Sequence, residues 1–100
     1  MEFFNKQIEG TLTLEQDLDF HGMINGNLTV PSGRILMMHG MINGDLVVDS
    51  GGRAHVAGTV NGTVINHGGE VTVEGTVYAV RDLDLTHPTL IAANAVVRPR

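Results

Sequence analysis

The phrase from His21 to Val30 (HGMINGNLTV) returns almost letter for letter from His39 to Val48 (HGMINGDLVV). A looser copy opens at Ala57 (AGTVNGTV) and a fourth at Glu74 (EGTVY), so the successive offsets are 18, 18 and 17 residues. A unit this short cannot bury an apolar face of its own. It becomes stable only when neighbouring copies stack on one another.

A finer period runs inside the repeat. Counting by six from Leu12 reaches Leu18, Ile24, Val30, Leu36, Ile42, Val48, Ala54 and Val60, all aliphatic. The ladder breaks at Asn66 and resumes one residue early as Val71, Val77 and Leu83. One deleted residue between Asn66 and Glu70 accounts for both this slip and the 17-residue copy. Between the anchors apolar and polar residues alternate, with Leu18, Phe20, Ile24, Leu28 and Val30 on one parity. Alternation of this kind reads as strand. A helix is disfavoured, because Gly recurs every four residues at a cost of about 1 kcal/mol each relative to Ala.

Three hexads, each with one buried aliphatic, describe one coil of a three-sided β-solenoid. The expected fold is all-β, triangular in section, with about 18 residues per coil and about five parallel coils spaced at roughly 4.8 Å. Its inner ladder comprises Leu18, Ile24, Val30, Leu36, Ile42, Val48, Val60, Val71 and Val77. Gly22, Gly40, Gly58 and Gly75 form one corner column; Gly26, Gly44 and Gly62, followed by Ala79, form another. A β-meander or small barrel built from hairpins would leave the constant offset unexplained. The first coil admits two registers, since Ile8 to Leu12 matches Ile24 to Leu28 at an offset of 16 while Leu12 also fits the count by six. The domain expectation is a short N-terminal tail (1–7), a β-helix (8–97) and a C-terminal tip (98–100).

Composition narrows the function. A formal net charge of −5 argues against nucleic acid, whose phosphates demand a basic face. With no Cys there are no disulfides, thiolate metal sites or Cys nucleophiles. No stretch approaches the roughly 18 apolar residues of a membrane span, and the start (MEFFNK) lacks a signal core. A soluble cytoplasmic protein is expected.

The phrase Gly-x-Ile/Val-x-Gly-x-Leu/Val at Gly22 to Leu28, Gly40 to Leu46 and Gly58 to Val64 resembles the bactofilins, the bacterial polymer-forming cytoskeletal family. The strands at Ala54 to Val56 and Val71 to Val73, and the closing Pro88-Thr89-Leu90 before an Ala-rich coil, extend the resemblance over roughly residues 8 to 97. It implies a right-handed β-helix that polymerises end to end, without nucleotide or other cofactor, into filaments that pair like ends. Such filaments scaffold cell-envelope or cell-shape proteins at the inner face of the cell membrane. Bactofilins carry longer flanking tails, and some carry an N-terminal membrane-targeting motif that Met1 to Phe4 matches only in part. Through that motif the resemblance implies at most weak peripheral membrane association.

The ends fit assembly on physical grounds as well. A terminal coil is a row of unpaired backbone groups above an open apolar core, and repeat proteins that stay monomeric need polar caps. The expected polymerisation interface is Phe3, Phe4 and Ile8 at one end and Leu90, Ile91, Val96 and Val97 at the other.

His21 and His39 occupy equivalent coil positions, so they stack on one side. As a pair they offer two metal ligands, and they carry the alternative reading: a trimeric hexapeptide-repeat-like enzyme, acyltransferase or carbonic anhydrase in type. Against it, the column continues as Ala57 and Glu74, and no long loop forms an acceptor pocket. The expectation is therefore no enzyme and no metal, with His55, His67 and His87 solvated. Asn25, Asn43 and Asn61 form an outward amide ladder. Glu15, Asp17 and Asp19 line an acidic face, and Met23 and Met41 point outward as an adaptable contact surface.

Overall fold

The computed structural model describes residues 2–84 and 86–97, so the tip at 98–100 lies outside the described residues. The chain winds as a parallel β-solenoid with three sides. The first side stacks β1 (Glu2–Phe4), β4 (Leu18–Phe20), β7 (Ile35–Met38), β10 (Arg53–Val56), β12 (Glu70–Val73) and β14 (Leu90–Ile91). The second stacks β2 (Gln7–Glu9), β5 (Met23–Asn25), β8 (Met41–Ile42), the opening residues of β11 (Thr59–Asn66) and of β13 (Thr76–Asp82), and β15 (Val96–Val97). The third comprises β3 (Leu12–Thr13), β6 (Leu28–Val30), β9 (Leu46–Val48) and the closing residues of β11 and β13. Every pairing is parallel, and no helix occurs among the described residues.

The ladder read from the sequence points inward. Leu18, Ile24, Val30, Leu36, Ile42, Val48, Ala54, Val60, Val71 and Val77 are all buried. The first and third sides each add a second inward residue, so the second coil buries Leu18, Phe20, Ile24, Leu28 and Val30. The same five positions hold Leu36, Met38, Ile42, Leu46 and Val48 in the third coil, and Ala54, Val56, Val60, Val64 and Asn66 in the fourth. In the fifth they hold Val71, Val73, Val77, Val80 and Asp82. The inward side chains thus become smaller between the third and fourth coils, at a constant offset of 18. The coil itself shortens one step later, between the fourth and fifth coils.

That shrinkage appears as register. Leu18, Leu36 and Ala54 follow at offsets of 18, and Ala54 pairs with Val71 at 17. Asn66 still aligns with Val48 at 18 while Glu70 aligns with Arg53 at 17, so one residue is lost in the turn between them, as the sequence indicates. A second is lost where Asn61 and Gly62 face the single Tyr78, a β-bulge beyond which Val64 pairs with Val80 at 16. The sequence expectation of a single deletion is corrected here. Asp82, not Leu83, reaches the inward column, Leu83 stays 51% exposed, and Ala79 stacks on Thr63 rather than Gly62.

Asn66 does not break the ladder; it occupies it and is fully buried. Its Nδ2 donates to His87 O (2.9 Å) and Thr89 Oγ1 (3.3 Å), while its Oδ1 accepts from Gly68 N (2.9 Å) and Gly69 N (2.8 Å). An amide has two donors and two lone pairs, and all are used. Thr89 in turn donates from N and Oγ1 to Asp82 Oδ1, at 3.0 and 2.6 Å. This network ties His87 and Thr89 to the fourth and fifth coils through Asn66 and Asp82.

At the other end the first coil follows the offset of 16: Glu2 pairs with Leu18, Ile8 with Ile24 and Leu12 with Leu28. Three residues separate Leu14 from Leu18 where five separate Val30 from Leu36, so this coil lacks part of one corner. Within the segment expected as a tail, Glu2–Phe4 is a strand of the first side, with Phe4 stacked on Phe20 at a ring-centroid distance of 5.6 Å.

The Gly22, Gly40, Gly58 and Gly75 column exists because the coils approach too closely for a side chain. A Cβ on Gly58 would overlap the carbonyl oxygen of Gly40, which belongs to the backbone and cannot rotate away. Gly58→Ala should therefore lower unfolding free energy by about 3 kcal/mol, against under ~1 kcal/mol for the neighbouring outward change Thr59→Ala. Denaturant unfolding of the two variants checks this; equal losses would mean that the coils separate freely at the corner.

Candidate functional site

Two kinds of surface are candidates: the ends of the solenoid and the outward columns along its sides. At the N-terminal end Phe4 and Ile8 stand in inward columns, below Phe20 and Ile24, and pack against the core on one side only. Phe3 pairs with Asp19 in an outward column and is 58% exposed. At the C-terminal end Ile91 follows Val73 and Val97 follows Val77, both inward columns, yet they are 50% and 36% exposed. Leu90 and Val96 continue outward columns. The seven residues expected at the ends thus divide into four that extend the core and three that rim it. The strand edges of β1, β2 and β3 pair on one side only, as do those of β14 and β15.

The sides are self-satisfied by ladders. Asn43 Nδ2 donates to Asn25 Oδ1 and Asn61 Nδ2 to Asn43 Oδ1, both at 2.7 Å. Asn25 Nδ2 donates to Glu9 Oε1 at 3.0 Å, and Gln7 Nε2 donates to the same oxygen at 2.7 Å. The expected amide ladder is present, and it ends on a carboxylate. A second ladder was not read from the sequence, although Asn27 and Asp45 follow the Gly-Asn/Asp spacing that carries it. Asn27 Oδ1 accepts from Asp45 N and Asp45 Oδ1 from Thr63 N, each at 2.8 Å. Asp17 does the same at another corner, accepting from Ile35 N at 2.9 Å. Its role in the acidic face is to tie two coils together. Met23 and Met41 are paired neighbours, half-exposed on the second side, while Met38 is buried.

His21 and His39 stack with ring centroids 4.8 Å apart and planes 15° from parallel, and Phe3 lies over His21 at 4.8 Å. Asp19 Oδ1 is 2.9 Å from His21 Nε2. The structure therefore brings a carboxylate to the histidine pair, which sequence spacing left apart because the corner at His21 turns the chain between them. His55 is not simply solvated: its Nε2 lies 3.0 Å from Glu74 Oε2. His87 Nδ1 lies 3.0 Å from Thr86 Oγ1, and His67 is exposed.

An open groove runs along the glycine-turn corner, lined by Arg34, Gly51, Gly52, Arg53, Glu70 and His87 among others. Neither His21 nor His39 lines it. Arg53 is held by Glu70, with Nε 2.7 Å from Oε2. No helix among the described residues is long and apolar enough to cross a membrane. Comparison with protein-family models, curated proteins and solved structures yields no match.

Two groups have displaced acidities. Hydrogen bonds from Asn25 and then Gln7 hold the Glu9 carboxyl below the ordinary glutamate value. The Thr86 hydroxyl and backbone N–H do the same for Asp84. A carboxyl whose folded pKa is depressed contributes stability above its unfolded value and loses that contribution as pH falls through the folded one. NMR titration should place Glu9 below an ordinary glutamate, and Asn25→Ala should move it back up. An unchanged Glu9 midpoint in the variant would mean that the amide ladder does not reach the carboxylate.

Proposed function

We propose that this chain is a non-enzymatic protomer that joins end to end into nucleotide-independent filaments of the bactofilin type, and that these filaments scaffold cell-shape or envelope proteins. The observation that carries the reading is the contrast between ends and sides. Along the sides, amide and backbone groups find partners between coils of the same molecule. At the two ends, strand edges lie beside inward columns whose last members, Phe4 and Ile8, Ile91 and Val97, have a neighbour on one side only.

An exposed edge with an apolar row beneath it is a template for another chain. Edge-strand pairing of the kind that joins coils within the molecule would also join molecules, with the strands antiparallel where like ends meet. Each end then gains main-chain hydrogen bonds and covers the open core. The contacts lie on opposite ends of one axis, so they do not close, and addition continues into a filament. The resemblance of the Gly22 to Leu28 phrase and its copies to bactofilins supports the same reading and adds the pairing of like ends, a cytoplasmic setting at the inner membrane face, and partners among envelope proteins. The ends use no nucleotide or metal in this scheme, because backbone pairing and apolar burial supply the contact.

Burying an unpaired charge at such a junction costs several kcal/mol. Ile8→Arg and Val97→Arg should each raise the concentration needed for polymer by at least about tenfold, read by sedimentation, with the strand signal in circular dichroism retained. The wild type should pellet as polymer under the same conditions. Undiminished pelleting of both variants would overturn the proposal, as would a wild type that stays monomeric throughout.

A further inference from the structure

Asp19, His21 and His39 are explained neither by the fold nor by assembly at the ends. They lie at the corner between the first and second sides, in the second and third coils. One ligand-capable atom from each falls within 4.8 Å of the other two. The histidines are held in register by their coils: His21 N donates to Phe4 O and His39 N to Phe20 O, equivalent bonds one coil apart. A second observation marks the same spot. Asp19 Oδ1 is withdrawn from solvent and, although 2.9 Å from His21 Nε2, makes no hydrogen bond of acceptable alignment. A desolvated carboxylate oxygen without a proper donor is costly, and structures rarely retain one unexplained.

We propose that Asp19, His21 and His39 form a binding site for a borderline divalent transition-metal ion, with Zn²⁺ as the reference case. Two imidazoles and one carboxylate are the donor set such ions prefer, whereas Ca²⁺ and Mg²⁺ want oxygen donors throughout. Zinc–ligand bonds of about 2.0–2.2 Å require the three atoms to close somewhat from their present spread. Both histidines are exposed, so side-chain rotation is the movement available for that closure. Phe3 lies against His21 from the first coil. His55 and Glu74 do not form an equivalent site, since their corner offers one imidazole and one carboxylate. A bound ion would tie the second coil to the third and so stabilise the fold by mass action.

The test is equilibrium dialysis of the full chain with Zn²⁺, together with thermal unfolding and electron paramagnetic resonance of the Cu²⁺ form. The expected results are one saturable ion per chain, a melting temperature raised by about 5 °C or more at saturation, and superhyperfine splitting from two imidazole nitrogens. His39→Ala and Asp19→Asn should each weaken binding at least about tenfold, and His55→Ala should leave it unchanged. These side chains are outward, so the metal-free variants should melt with the wild type. If a variant unfolds, the Cu²⁺ spectrum of the wild type decides: one nitrogen or none overturns the proposal. Absence of saturable Zn²⁺ binding, or equal binding by His39→Ala, overturns it as well.

Discussion

Parallel backbone pairing from each coil to the next is the constraint on which the rest of the structure depends. It admits a side chain only if the same position in the neighbouring coil accommodates it, and it admits the chain only if successive coils have nearly equal lengths. The corner at Gly22, Gly40, Gly58 and Gly75 shows how tight that condition is, because a single Cβ would collide with the carbonyl of the coil below. Core size and coil length change at separate steps. Leu, Met and Ile in the third coil give way to Ala and Val in the fourth at constant length, and one residue is then dropped in a turn and another at the bulge facing Tyr78.

Stacking also decides what the polar residues do. Repeated at one coil position, Asn becomes a rail of amides in which each donor meets the acceptor below. Repeated at a corner, Asn27 and Asp45 accept from backbone N–H groups one coil on. The same logic places His21 on His39. What differs is that the histidine stack has no chain of hydrogen bonds to run along it. It is joined instead by a carboxylate from the adjoining strand, which is why it reads as a ligand set rather than a further rail.

The sequence discloses the inward columns and the amide ladder because both repeat at a fixed interval, and interval is what stacked coils conserve. Asn66 shows the limit of that reading. By polarity it interrupts the ladder, yet it occupies the buried position because Gly68, Gly69, His87 and Thr89 satisfy all its hydrogen-bonding groups. Those partners lie in two irregular segments with no periodic signature. The second register slip is hidden for a similar reason, since Val80 and Leu83 both suit a core position and only the pairing of Thr63 with Ala79 separates them. Pairs such as His55 with Glu74 join different columns, so no single spacing predicts them.

If the ends are continuations of the sides' own pairing, an assembled specimen must keep the internal spacing across every junction. Cryo-electron microscopy of the purified full chain, with the power spectrum of any polymer, tests this most directly. The account predicts unbranched filaments one solenoid wide, with strands across the axis, a reflection near 4.8 Å along it, and a subunit repeat of about five coils or twice that. Discrete particles of fixed size at all concentrations, or sheets joined through the ladder-bearing sides, would contradict it.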